Sequence, residues 1–282
     1  MRDDVEIRPM TRAELDTAIG WAGDEGWNPG LADADCFHGS DPGGFLMAFQ
    51  DGRPVASISV VAYGADFGFL GFYICHRDVR GRGIGYRLWQ AGLTRLGARC
   101  IGLDGVVEQQ SNYQKEGFVL AHRNIRYGGT VACEAPEDPR LRRITADQLA
   151  AILAYDRPFF PGPRAAFLRC WLQARENRMG FALVDQGAVA GYGVLRRCRE
   201  GYKIGPLFAD TPQDADLLFR ALVARTRGAK VFLDPPAPNR EANALAERYG
   251  LQPVFETARM YRGAAPDLPL QCIFGITTFE LG

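Results

Sequence analysis

A run of β-branched, aromatic and glycine residues over 67–75 leads into Arg80-Gly81-Arg82-Gly83-Ile84-Gly85, and that hexapeptide opens a helix-like stretch over 86–96. No other feature constrains the chain so tightly. A strand must end close to where a helix begins, and the join is built from glycines at 81, 83 and 85. With no Cβ in the way, backbone N–H groups can converge on an anion at the positive end of the helix dipole. The turn has the makings of a pyrophosphate cradle. Two common cradles are excluded by single residues. A Walker loop continues into Gly-Lys-Ser/Thr, whereas Gly85 is followed by Tyr86 and Arg87. The dinucleotide fingerprint counted from Gly81 requires glycine at 86, where the chain has Tyr86.

The pattern Arg80-x-x-Gly83-x-Gly85 resembles the coenzyme A loop of the GNAT acyltransferase superfamily. The neighbourhood strengthens the resemblance. A strand-like Gly68-Phe69-Leu70-Gly71-Phe72-Tyr73-Ile74-Cys75 precedes the loop. The following helix presents Ile84, Leu88 and Ala91 together with Trp89, Leu93 and Leu96 at helical spacing. Next come a strand, Cys100-Ile101-Gly102-Leu103-Asp104, and the signature Tyr113-Gln114-Lys115-Glu116-Gly117-Phe118. The resemblance implies an α/β (α+β) fold, a mixed and mostly antiparallel sheet with a splayed parallel strand pair and flanking helices. It covers 1–130 as the acyl-CoA-binding catalytic domain.

The second half echoes the first. A polar, Pro-containing stretch over 131–143 reads as a linker, and Thr145 is a good N-cap for a helix reaching 155. Gly44-Phe45-Leu46 running to the Asp51-Gly52 turn is matched by Gly180-Phe181-Ala182 running to Gln186-Gly187. Leu103-Asp104 is matched by Leu233-Asp234, Gly117-Phe118 by Gly250-Leu251, and Arg126-Tyr127 by Met260-Tyr261. Tandem duplication of one fold explains these matches. Where the first copy has its glycine loop, the second has Thr211-Pro212-Gln213-Asp214-Ala215-Asp216. Carboxylates there suit a helix N-terminus but repel a pyrophosphate. Residues 144–282 are therefore read as a degenerate GNAT-like domain without coenzyme A. The arrangement resembles a bacterial GNAT subfamily with a degenerate acetyltransferase-like C-terminal domain. It does so through Glu25-Gly26-Trp27-Asn28-Pro29-Gly30, Gly102-Leu103-Asp104-Gly105-Val106, Asn112-Tyr113 and Ile204-Gly205-Pro206-Leu207.

Composition narrows the partners. Of 282 residues, 47% are hydrophobic and 33 basic side chains balance 33 acidic ones, which argues against nucleic acid as the main partner. No long apolar segment suggests a membrane span, and Met1-Arg2-Asp3-Asp4 does not begin a signal peptide, so a cytoplasmic protein is expected. A homodimer is compatible with the sequence. Seven cysteines without a C-x-x-C pair are expected to be mostly reduced thiols, and no zinc site or other metal site is expected, since His38, His76 and His122 lack ligand spacing.

The resemblance implies acetyl-CoA as cosubstrate and an amine of a small molecule or amino-acid-like metabolite as acceptor, with direct transfer between them. Cys75 and His76 would present backbone groups to the pantetheine arm, and Arg80, Gly81, Arg82, Gly83, Ile84 and Gly85 would hold the pyrophosphate. Tyr113 matches the tyrosine that many members place near the thioester sulfur, a general acid for the departing thiolate. The asparagine that many members carry about seven residues earlier is Val106 here. Three carboxylates stand as candidates for the base or the acceptor contact: Asp104, which also suits a strand-end cap, and Glu25 and Glu108, which also suit the surface. Trp27, Asn28 and Tyr73 are placed beside the acceptor, and a loop with Tyr155, Arg157 and Phe159-Phe160-Pro161-Gly162 is expected to close over it. A non-catalytic acyl-CoA sensor or interaction module is the alternative.

Overall fold

The structure, a computed structural model, describes residues 5–282; Met1-Arg2-Asp3-Asp4 lies outside the described residues. The first half supplies strands β1 (Val5–Pro9), β2 (Phe45–Gln50), β3 (Arg53–Tyr63), β4 (Phe67–Cys75), β5 (Cys100–Val106) and β6 (Val119–Thr130). Its helices are α1 (Arg12–Asp24), α2 (Ala34–Ser40), α3 (Ile84–Leu96) and α4 (Gln110–Lys115). The second half supplies β7 (Leu141–Arg143), β8 (Arg178–Asp185), β9 (Ala188–Arg197), β10 (Tyr202–Ala209), β11 (Lys230–Leu233), β12 (Gln252–Arg262) and β13 (Ile273–Gly275). Helices α5 (Leu149–Asp156), α6 (Ala165–Trp171), α7 (Pro212–Val223) and α8 (Arg240–Arg248) accompany them.

Local sequence accounts for the helix ends. Thr11 and Glu14 form a reciprocal capping box that starts α1, and Thr145 and Gln148 form another ahead of α5. Helix α3 starts at Gly83, whose φ of 78° lies in the left-handed region, and ends at Gly97. Its face of Ile84, Leu88, Trp89, Leu93 and Leu96 is buried, each large side chain contributing about 1.5–3 kcal/mol by leaving water. Gly92 lets this helix approach the sheet, since a Cβ there would stand 2.7 Å from Val60 Cγ1.

The strands form one mixed sheet in the order β1-β2-β3-β4-β5-β12-β6-β11-β10-β9-β8-β7, with β13 added to β10. Only β4–β5 and β10–β11 run parallel; the remaining pairs are antiparallel. The two halves exchange one strand each. β12 from the second half lies against β5 of the first, β6 from the first lies against β11 of the second, and β12 and β6 pair with each other. Each exchanged strand carries an arginine to an aspartate on its host. Arg259 on β12 binds both oxygens of Asp104 at 2.8 and 2.6 Å, and Arg126 on β6 binds both oxygens of Asp234 at 2.7 Å. The repeat read as Arg126-Tyr127 against Met260-Tyr261 is thereby corrected by one position. Tyr127 lies opposite Leu233 and Met260 opposite Leu103, so Arg126 corresponds to Arg259.

Further polar contacts join the halves. Asp33 is ion-paired with Arg196, both buried, and Lys203 Nζ donates to Trp27 O at 2.9 Å. A disulfide connects Cys36 on α2 with Cys170 on α6. This corrects the expectation of mostly reduced thiols for those two residues. Their spacing of 134 residues carries no pairing signal, and the fold brings their Cα atoms to 5.3 Å. Cys75, Cys100, Cys133, Cys198 and Cys272 are free.

Titration of the denatured, unreduced protein with a thiol reagent should count five thiols per chain, rising to seven after reduction. Replacing Arg259 by methionine strands the Asp104 carboxylate without its cation; the expected loss is about 3–5 kcal/mol in denaturant unfolding. A chain ended after residue 143 lacks β12 and should show no cooperative thermal transition by circular dichroism.

Candidate active site

The site is a cavity of about 540 Å³ at the end of β4 and β5. The two strands pair only from Phe67 with Cys100 to Leu70 with Leu103. Beyond that point they separate, because β4 changes course. Its pairing with β3 shifts between Ser57 and Ser59, so that Phe72 and Tyr73 together face Ile58 alone. Phe72 sits at φ 45°, a conformation that side chains with a Cβ seldom adopt. The buried Ser57 hydroxyl donates to Phe72 O at 2.9 Å and holds the bulge.

The glycine loop stands at one mouth of this cavity, with Arg80, Gly81, Gly83 and Gly85 among its walls. Gly81 and Gly83 both have φ of 78°, and a Cβ on either would meet nothing within 4 Å. The loop is open to solvent on the face where the first N–H groups of α3 have no intrahelical partner. Gly85 is required for another reason: a Cβ would fall 2.5 Å from Cys75 Sγ and 2.9 Å from the Tyr73 hydroxyl. Arg80 is anchored by Nε to Cys75 O at 3.0 Å and by Nη2 to Glu25 at 2.7 Å. Arg82 Nη1 reaches Gln50 at 3.3 Å. The residues therefore fit a pyrophosphate: bare amides, a helix N-terminus and guanidinium groups in one turn. The Ile84 side chain is buried under the loop. His76 is half-exposed, with Nδ1 3.4 Å from Asp78, and its backbone N–H donates to Val55 O.

Tyr113 stands opposite, on α4. Its ring stacks on Trp89 with centroids 5.6 Å apart, and it lies against Gly105, where a Cβ would approach to 2.2 Å. Burial pushes its phenol up to about 12, so the hydroxyl keeps its proton at any ordinary pH. Tyr73, also a wall of the cavity, packs its ring on Trp89 at 5.2 Å and is raised further by burial. Burial likewise raises the Cys75 thiol, despite nearby Arg80, and disfavours a thiolate nucleophile.

The carboxylates proposed from the sequence take different places. Asp104 borders the cavity, yet its side chain is fully buried and both oxygens are engaged by Arg259, with Asn124 donating to one at 2.7 Å. Burial pushes its carboxyl up, against the pull of Arg259 and Asn124. Glu25 borders the cavity through its contact with Arg80. Glu108 is exposed in the 3-10 turn before α4 and is not a wall of the cavity. Trp27 is a wall, and its carbonyl accepts from both Arg126 and Lys203. Asn28, at φ 52°, is instead tied to the β9–β10 turn through two 2.9 Å bonds with the Glu200 backbone.

The loop expected to close over the cleft lies elsewhere. Phe160 packs edge-on against Tyr63 and Phe67, and Tyr155 donates to Asp210. Aromatic packing on the β3–β4 turn holds this loop away from the cavity. The second half closes the cavity with other residues: Phe255 and Thr257 on β12, and Phe279 and Glu280 from the segment after β13. No local signal marks these four, because they reach the site only through strand exchange and a long return of the chain.

In the second half the corresponding place is filled. β10 and β11 part beyond Ile204 and Leu233, and β13 lies in the gap, pairing with Leu207 and Phe208. Helix α7 is capped by Thr211, which accepts from Asp214 N at 3.1 Å, while the Asp214 carboxylate binds Arg140 at 2.9 Å.

Comparison with known proteins agrees with the fold. A family model described as the acetyltransferase (GNAT) family matches residues 10–118, and one described as an acetyltransferase (GNAT) domain matches residues 152–275. A holothin acyltransferase from Pseudoalteromonas sp. (strain SANK 73390) is 33% identical over 276 residues, spanning 98% of this chain and 94% of that protein. Among solved structures, a putative acetyltransferase from Pyrococcus horikoshii superposes with a TM-score of 0.80 at 22% identity, covering 100% of this chain and 97% of the other. A tandem GNAT protein from the clavulanic acid biosynthesis pathway gives 0.64 at 16%, covering 94% and 100%. The chain belongs to the GNAT acetyltransferase family and is an acyltransferase of tandem GNAT architecture.

Gly85→Ala should weaken acyl-CoA binding at least tenfold in calorimetry, because the added methyl must displace Cys75 and Tyr73 at the mouth of the cavity.

Proposed function

We propose that the chain transfers an acetyl group from acetyl-CoA directly to the amine of a small molecule, in a single site at the β4–β5 opening. The observation that carries this reading is the contrast between the halves: a glycine turn beside an open splay in the first, a capped helix and a filled splay in the second. The donor supplies an activated thioester. Arg80 to Gly85 would hold its pyrophosphate, and backbone groups of the β4 bulge would line its pantetheine arm. Tyr113, kept protonated by burial, gives its proton to the departing sulfur. Direct transfer is favoured over an acyl-cysteine, since burial raises the Cys75 thiol and disfavours its thiolate. The relative's name assigns it holothin as acceptor, which supports a compact small molecule here too. A cytoplasmic location, where acetyl-CoA is made and used, fits this activity.

Calorimetric titration with acetyl-CoA should give one site per chain, and Gly83→Asp, which adds a charge at φ 78°, should weaken it at least 100-fold. Two sites would mean that the second half binds donor, and no binding would overturn the assignment. Tyr113→Phe should lower kcat by about 10²–10⁴ with donor affinity nearly unchanged.

A further inference from the structure

Three carboxylates border the cavity, and two of them are engaged. Asp104 is bound by Arg259 and Glu25 by Arg80. The third, Glu280, is 3% exposed, and its Oε2 has no hydrogen-bond partner among the described residues. Leaving a buried carboxylate oxygen unmatched is costly, and on the wall of an open cavity a ligand is one group that can complete it. The backbone around Glu280 is held firmly. Its carbonyl accepts from Ser59 Oγ at 3.4 Å, and the next carbonyl, of Leu281, accepts from Tyr63 at 3.1 Å. Gly71 makes room for it, since a Cβ there would lie 2.2 Å from Glu280 O. The segment is thus locked onto β3 and β4 at the point where β4 bends away from β5, while its Oε2 is left without a hydrogen-bond partner. Arg126, Arg196 and Lys203 feel its charge, but none is bonded to it. Around it the cavity wall is aromatic: Trp27, Phe72, Phe255 and Phe279.

We propose that Glu280 is the acceptor-binding carboxylate and proton acceptor of this site, and that the acceptor is a primary amine carried on a flat, uncharged ring. The proposal rests on the acetyl-transfer reading above and adds the residue and the class of amine. The ammonium form of the acceptor gives one proton to the Glu280 carboxylate. The freed nitrogen lone pair forms the N–C bond to the acetyl carbon, and the C–S bond breaks with its electron pair on sulfur. Tyr113 protonates that sulfur, the amide nitrogen returns its surplus proton to the Tyr113 oxygen, and Glu280 releases its proton to solvent. The rings of Trp27, Phe255 and Phe279 hold the flat scaffold, and a second carboxylate on the acceptor would be repelled by Glu280.

The test is acetyl transfer from acetyl-CoA to holothin, benzylamine, tryptamine and aspartate by the native chain, Glu280→Gln and Glu280→Asp, with acetyl-CoA affinity and melting temperature measured alongside. The expected result is turnover of at least one ring-bearing amine and none of aspartate. Glu280→Gln should then lose at least 100-fold in kcat/KM, with acetyl-CoA affinity within twofold, and Glu280→Asp should recover part of the loss. Equal turnover by native chain and Glu280→Gln overturns the proposal, as does acetylation of aspartate alone. A native chain that binds acetyl-CoA but acetylates none of these amines overturns the acceptor class. One that binds no acetyl-CoA overturns the underlying reading instead. Should Glu280→Gln not fold, the native chain still decides: benzyl alcohol should compete at least tenfold more weakly than benzylamine, and equal competition removes the carboxylate from the contact.

Discussion

Two buried guanidinium–carboxylate pairs hold the halves of this chain in one register, and the site exists because of that register. Arg259 reaches Asp104 from β12, and Arg126 reaches Asp234 from β6, each across the boundary between the halves. A buried charge is tolerated only when its partner arrives with good geometry. Slipping either exchanged strand by one residue would turn its arginine to the other face of the sheet, leaving an aspartate unmatched in the core. The pairs therefore select one alignment of β5, β12, β6 and β11, though their net contribution to stability is modest once desolvation is counted.

That alignment gives two similar openings different fates. Both halves contain a parallel pair that separates after a few residues. In the second half the chain fills its own opening with β13, then continues into the first half, where Phe279 and Glu280 become cavity wall. One stretch of backbone thus closes one opening and lines the other. In the second half α7 starts with Thr211 and Asp214, good caps whose carboxylate disfavours a pyrophosphate. Duplication followed by this division of labour explains why the halves share a fold and differ at one helix start.

Much of this is legible in the residues. The glycine loop is local: glycines at a strand-to-helix join leave backbone amides open to an anion, and the left-handed conformations of Gly81 and Gly83 explain their presence. The position of Tyr113 on the cavity wall and the repeat are legible for similar reasons, since both rest on short spacings. The missed features are non-local. Asp104 and Asp234 are visible as matched strand ends, but the arginines that bind them sit on exchanged strands, so one match was displaced by a residue. Cys36 and Cys170 carry no spacing signal, and α2 meets α6 only in the folded chain. The Phe159-Phe160-Pro161-Gly162 loop looks like a lid because it is aromatic, yet the same rings pack onto Tyr63 and Phe67. Glu280 is invisible because its importance comes from lacking a partner, and partners are known only from the fold.

The account makes one central claim: a single site, with its donor side built by the first half and its acceptor side completed by the second. A crystal structure of the chain with acetyl-CoA tests this most directly. The claim predicts one coenzyme per chain, its pyrophosphate on the amides of residues 81–85 and its acetyl group in the β4–β5 opening between Tyr113 and Glu280. Coenzyme bound beside α7, or an acetyl group turned away from β12 and the 276–282 segment, would contradict it.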